Sequence, residues 1–397
     1  MKKKRLVTLV RSSILALIIL ALPLMAASAN PIQDKPVKIG ALIPFTGFLS
    51  HPTFKRAIVL ALDEAGWKVA GRQIVLIDVD TATNPDKALD KARKLVEVDK
   101  VDFLIGPLHG TGTIVVGEYA TKVNVPNFTY AMGATYKTLV ERGLDKLYLT
   151  SGTINAGPYY LAKYMYNELG YRKIVTLATD FQAGHEIMEA AVYGFEESGG
   201  KVIQQQWIPF GEMDLAPYVS AIKKADACVI WIAGSAGPVF NVTYKQFDVT
   251  MPLLRVDGGE YTWDQQLKKT PVMEGLIAAT YYSGAIDNPV NKRYVKAYKE
   301  KWGHFPDAHA TAAYIDIKII LDVLRETEGD TSPEKFDEVV KKLRFDTPRG
   351  PMTFTEDRTI IANIYVMQVQ KVNGELVPKI IHTIEGCDTR KGIKMGR

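Results

Sequence analysis

The sequence predicts an α/β fold of two similarly built lobes, each a parallel sheet covered by helices. Three observations carry that expectation. From residue 37 onward, short apolar runs alternate with helix-length amphipathic segments, the order that builds parallel sheets with helices on both faces. The alternation restarts after about residue 150. The 397 residues also suit two or three domains at about 150 residues each.

The elements follow in order. Residues 37–43 read as a strand and 54–65 as a helix; 74–79 is a second strand, closed by Asp80. Asn84 and Pro85 then open a helix, Asn at the cap and Pro in the first turn, with Ala88, Leu89, Ala92, Leu95 and Val96 on one face. Residues 103–105 and 125–128 are short strands separated by a helix near 114–122. The second series opens with a strand at 174–178 and a helix whose apolar face is Ile187, Met188, Ala191 and Phe195. Strands at 202–208, 227–232, 253–256 and 277–282 follow, with helical patterns between the earlier ones. Two long helices, 290–302 and 308–326, precede strands at 350–354 and 361–369. No low-complexity linker separates the halves, so strands rather than a loose tether are expected to join them, an arrangement suited to a hinge.

Lys and Arg number 49 against 44 Asp and Glu, a formal charge of +5. Lys2, Lys3, Lys4, Arg5 and Arg11 all fall in the first 29 residues, which hold no acidic residue. The remainder is therefore near neutral, and no nucleic-acid partner is expected. Those cations precede an apolar run at 14–22, then Pro23 and the small-x-small site Ala27-Ser28-Ala29. This is the pattern of a cleaved signal peptide, residues 1–29. The run is shorter than the roughly 20 residues that span a bilayer, and no Cys near the cut offers a lipid anchor. The expected product is a periplasmic chain starting near Asn30. Cys228 sits in the apolar run 227–231 and Cys387 in a polar tail; two cysteines make no disulfide framework, and the sequence leaves open whether they pair.

Catalytic patterns are missing. The six His residues, at 51, 109, 185, 304, 309 and 382, form no short-spaced zinc pattern. Ser235 lies between Gly234 and Ala236, but Ala233 occupies the first glycine of a nucleophile elbow. Gly110-Thr111-Gly112 follows a strand and opens a helix, yet Val115 stands where a dinucleotide fingerprint needs its third glycine. Neither an enzyme nor a cofactor is expected. The same loop can still offer backbone N–H groups at a helix N-terminus to a ligand carboxylate.

Five segments stand out: Lys38-Ile39-Gly40-Ala41-Leu42-Ile43-Pro44-Phe45-Thr46-Gly47; Asn84-Pro85-Asp86 through Val101-Asp102-Phe103-Leu104-Ile105-Gly106-Pro107; Asp180 with Gly184; Asp287-Asn288-Pro289 through Tyr298 and Trp302; and Gly350-Pro351-Met352-Thr353-Phe354. They resemble the branched-chain amino-acid type of periplasmic binding proteins. Together they cover nearly the whole mature chain in the family's order. The resemblance implies a type I periplasmic binding fold: two Rossmann-like lobes with parallel central sheets joined by three crossover strands, ligand in the cleft, and closure read by the membrane permease of an ABC importer. Crossings would fall near 149–151, 280–283 and 364–368. Lobe 1 would comprise 30–149 plus about 282–363, and lobe 2 would comprise 150–281 plus about 364–397. The resemblance also implies a monomer that performs no covalent chemistry. A ligand sensor of the same fold, feeding a membrane receptor, is the alternative.

The family's pocket positions carry over unevenly. The loop that binds the ligand carboxylate matches Gly110 and Thr111. The next loop matches Ala131 and Gly133, where the family has a hydroxyl at the position of Gly133. In the second lobe Ala183 stands where the family places a Tyr before the Gly, and Phe181 is expected to line the cleft instead. Gly234 and Ser235 match a loop with another aromatic contact. Asp257, with Glu260 as alternate, matches the acid that pairs a ligand ammonium; the other reading of Asp257 is a turn residue before Gly258. Phe48, Leu49, Phe181, Tyr261 and Trp263 are candidate apolar walls. Small residues in the loops imply a roomier pocket than leucine needs, hence an amino acid or a larger, aromatic carboxylate.

Overall fold

The structure, a computed structural model, describes residues 35–47, 50–108, 110–129, 136–256 and 274–393. The export segment 1–29 lies outside them, as do Phe48, Leu49, Ala131, Gly133, Asp257, Glu260, Tyr261 and Trp263.

The first sheet has strands β1 (Val37–Ile43), β2 (Lys68–Val69), β3 (Arg72–Asp80), β4 (Phe103–Ile105), β5 (Asn127–Phe128) and β6 (Leu147–Tyr148). Their order is β2-β3-β1-β4-β5-β6, parallel except for the β2–β3 hairpin. β1 is central and all but one of its residues are buried, which is why it reads as a continuous apolar run rather than an alternating one. The helices are α1 (Thr53–Glu64), α2 (Pro85–Arg93), α3 (Gly110–Val123) and α4 (Tyr136–Arg142). The Asn84 side chain accepts from the Lys87 amide at 2.9 Å and caps α2 as its sequence predicts. One wider turn, Lys94–Val98, prolongs that helix. Ala88, Ala92 and Leu95 are buried, with Leu89 and Val96 half-buried beside them.

The second sheet runs parallel through β7 (Lys173–Asp180), β8 (Lys201–Pro209), β9 (Ala227–Trp231), β10 (Leu253–Arg255) and β11 (Ile277–Thr280). It continues antiparallel through β14 (Ile360–Val372) to β13 (Gly350–Phe354) and β12 (Arg344–Thr347), with β15 (Glu375–Asp388) paired to β14. Helices α5 (Ala156–Asn167), α6 (Gln182–Glu197), α7 (Ala216–Ser220) and α8 (Ala236–Gln246) accompany the parallel part. On α6 the expected face of Ile187, Met188, Ala191 and Phe195 is buried. Helices α9 (Pro289–Trp302), α10 (Ala308–Glu326) and α11 (Pro333–Val340) return to the first sheet, where α10 packs on α1 in a core that includes Ile58, Leu62, Ile315 and Ile319.

Two corrections follow. The strand expected at 277–282 stops at Thr280, whose hydroxyl donates to the Tyr282 carbonyl and bends the chain away. Cys387 is not in a polar tail: it lies buried on β15, opposite Ala362. Both cysteines are buried and free.

The chain leaves the first core between β6 and α5 and returns between β11 and α9. It passes again along β14, where Ile360 and Ala362 belong to the first core, Ile364 and Val366 to the second. Among the described residues, no helix is long and apolar enough to cross a membrane.

Candidate functional site

In open parallel sheets, ligands sit beyond the carboxyl ends of the strands. At those ends of the first sheet, polar groups tie the loops to each other. Asp80, closing β3, accepts the Thr46 hydroxyl at 2.6 Å, the Thr46 amide at 3.1 Å and the Ala82 amide at 2.9 Å. Burial pushes the Asp80 carboxyl up, but the hydrogen bonds from Thr46 and the neighbouring amides outweigh it and hold the group below the usual range. After β4, the Pro107 carbonyl accepts the hydroxyls of Thr113 and Thr129 at 3.1 and 2.5 Å, and the Asn127 amide holds the Gly106 carbonyl at 2.7 Å. Gly106 has φ +88°, and a Cβ there would lie 2.3 Å from the Leu42 carbonyl oxygen, so only glycine fits. This bracing fixes the start of α3. Gly110 is buried at its first position, four residues earlier than the periodicity places the helix, and Thr111 is exposed beside it. The leading amides of such a helix have no partner within it and favour an anion.

The second sheet presents different chemistry. Phe181 follows β7 in an extended conformation at the cap of α6 and is 51% exposed. Its ring lies 5.5 Å from that of Phe210, which follows β8 and is 69% exposed. Met213 is also exposed, and its sulfur accepts from the Ser235 hydroxyl at 3.9 Å. Gly234, at φ +60°, makes the turn that leads Ser235 into α8. Gly184 is required by packing: a Cβ would lie 2.2 Å from the Thr179 carbonyl oxygen, so α6 sits close on β7. Ala183 is half-buried next to it. The structure thus gathers Phe181 and Ser235 with Phe210 and Met213 at the ends of β7, β8 and β9, and places Gly110 and Thr111 on the first sheet. Phe210 and Met213 escape a periodicity analysis because each is a single residue after a strand; the Pro209-Phe210-Gly211 turn is the signal that marks them.

One further cluster joins the two sheets. Arg349, in the turn between β12 and β13, donates to the Thr150 carbonyl just after β6 and to the Tyr281 carbonyl just after β11. Its own carbonyl accepts from the Tyr365 hydroxyl on β14 at 2.7 Å. Asp316 of α10, fully buried, accepts from the Thr150 hydroxyl at 2.6 Å. Burial pushes its carboxyl up to about 7, against the opposing pull of the Thr150 hydrogen bond and the Arg349 charge. All three passages between the cores therefore meet at one guanidinium and its backbone. Among the described residues, no group of three or more His, Cys, Asp or Glu could hold a metal ion.

A family model described as periplasmic binding protein matches residues 36–375. The chain belongs to that family. Its relatives include the Leu/Ile/Val-binding protein homolog 6 of Brucella abortus, 26% identical over 92% of this chain and 96% of the relative. The ABC transporter substrate-binding protein of Sphaerobacter thermophilus is 26% identical and superposes with a TM-score of 0.83 over 90% of this chain and all of that one. A solute-binding protein of an ABC transporter from Rhodopseudomonas palustris BisB5, solved in complex with 3,4-dihydroxy benzoic acid, is 25% identical with a TM-score of 0.78, covering 89% and 98% of the two chains. As a periplasmic binding protein the chain is a transport-type solute binder similar to the leucine-binding proteins, not an enzyme, and the family implies the periplasm.

Proposed function

We propose that this chain is the ligand-binding component of an ABC importer and that it captures an aromatic carboxylate in the cleft between two lobes, delivering it to an inner-membrane permease by domain closure. The observation that carries the reading is the pair of exposed, adjacent rings Phe181 and Phe210 at the strand ends of the second sheet. Exposed aromatic pairs of this kind offer a face or an edge to a third ring. On the opposite side, the amides at Gly110 and the Thr111 hydroxyl take the ligand carboxylate. Gly133, Ala131, Ala183, Gly234 and Ser235 leave room for the ring, with Phe48 as a further wall. Asp257 or Glu260 serves an ammonium where the ligand carries one. In this reading lobe 1 comprises 30–149 and about 282–363, and lobe 2 the rest of a monomeric chain whose signal peptide is cut near Ala29. The palustris protein solved with 3,4-dihydroxy benzoic acid supports an aromatic acid, and the Brucella relative keeps leucine in the test set.

Calorimetry on the mature chain with benzoic acid, 3,4-dihydroxybenzoic acid, phenylalanine and leucine tests the reading. An aromatic acid binds, and at about 100 times its dissociation constant stabilises the chain by about 2.7 kcal/mol in a thermal melt. Leucine binding without any aromatic acid overturns the ligand class. Silence from all four overturns the site.

A further inference from the structure

A second groove, of about 540 Å³, lies where α4 faces α6 and β8, and none of the residues assigned to the cleft above lines it. Two of its lining residues hold buried acceptors that meet no donor among the described residues: Oδ1 of Asn155 and Oε2 of Glu186. Asn155 is 1% exposed and its amide nitrogen already donates to the Lys391 carbonyl, so only its oxygen is open to a ligand. The other Glu186 oxygen accepts from Gln182 at 3.1 Å. Buried acceptors left unmet are costly, so the groove calls for a donor. Its charge calls for a cation: Glu141, Glu186 and Glu189 face one lysine, Lys137, which Glu141 already matches at 3.7 Å. Burial raises the Glu186 carboxyl, a penalty that a neighbouring positive charge would relieve. Beside Thr138 and Gln205, the rest of the lining is apolar or aromatic surface from Met188, Val192, Ile393 and the Trp207 ring, one face of which is covered by His185 at 3.9 Å. A hydrated inorganic ion gains nothing from that apolar part, whereas an alkyl chain does.

We propose that this groove is a second binding site, for a primary aliphatic amine whose ammonium donates to Glu186 and Asn155 and whose methylenes lie on Met188, Val192 and Trp207. The groove spans the two lobes of the proposed function, with α4 on one and α6 and β8 on the other, so the test is run with the cleft empty. The test is calorimetry and Trp fluorescence of the mature chain with n-butylamine and 1,4-diaminobutane at about pH 8, where the amines are cationic and carboxylates ionised, with sodium chloride at matched ionic strength as control. Saturable binding is expected with the amines and absent with the salt. Glu186→Gln, and separately the exposed Glu189→Gln, weaken it about tenfold and about threefold respectively. No saturable signal up to about 10 mM amine, well above a millimolar dissociation constant, overturns the proposal. So does equal affinity in both Glu variants, since Glu189→Gln carries little risk to the fold.

Discussion

At the strand ends of the first sheet, hydroxyls, a carboxylate and amides are spent tying loop to loop, whereas at those of the second sheet two phenyl rings and a thioether face outward. Asp80 and the Pro107 carbonyl each gather donors from neighbouring segments. Phe181, Phe210 and Met213 touch each other or Ser235 and otherwise stand exposed. The difference teaches a division of labour. Hydrogen bonds are directional and hold a helix terminus where, in the proposed function, a carboxylate sits. Apolar contacts are not directional, so a wall made of rings accepts ligands of several shapes.

The largest effect is expected where both faces depend on one residue. Arg349→Ala strands the Thr150 and Tyr281 carbonyls and leaves Asp316 without its nearby cation; urea denaturation should show a loss of about 3–5 kcal/mol. If the loss is instead below about 1 kcal/mol, the two faces are held by separate means. The same cluster predicts a pH dependence. Asp316 keeps its proton in the folded chain up to about 7, while its ordinary value is 3.8. Between those values the folded state binds a proton that the unfolded state has lost, so stability falls as pH rises through this window. Asp316→Asn should flatten that part of the stability profile; an unchanged slope would assign it to other groups.

Asp80→Ala targets the first face alone. It removes three hydrogen bonds at a partly exposed position, and a loss of about 1–2 kcal/mol in chemical denaturation is expected. Because hydrogen bonding depresses the folded carboxyl, its contribution is present above the unfolded value and fades as pH falls through the folded one. The smallest stability effect belongs to the second face. Phe181→Ala and Phe210→Ala should each leave stability within about 0.5 kcal/mol yet weaken aromatic-acid binding about five- to tenfold by calorimetry, about 1 kcal/mol. A large stability loss there would mean that the rings are structural and the contrast between the faces false.

Which parts could be read from the chain follows from the range of the interactions. β1 is legible because its neighbours on both faces are apolar, and α2 because Asn84 and Pro85 act within one turn. The buried face of α6 repeats at helical spacing and is equally plain. β15 is not legible: it is a strand of mixed polarity, part exposed and part half-buried, whose pairing with β14 slips register twice, so no alternation survives. Gly110 is legible as a helix opening but not as a fixed one, since its bracing comes from Thr129 and Asn127, distant in sequence. Arg349 lies beyond local reading altogether. Its partners are 199 and 68 residues away, and only the folded chain brings them to one guanidinium.

That shared guanidinium has a mechanical meaning. Three passages held independently could slide, twist or splay in several combinations. Tied to one residue, two through its guanidinium and one through its carbonyl, they are expected to act as a single pivot. Rotation about a common axis is then the expected motion. In the proposed function, a partly filled cleft would then yield a smaller angle rather than a different shape, and the proposed permease would read one coordinate.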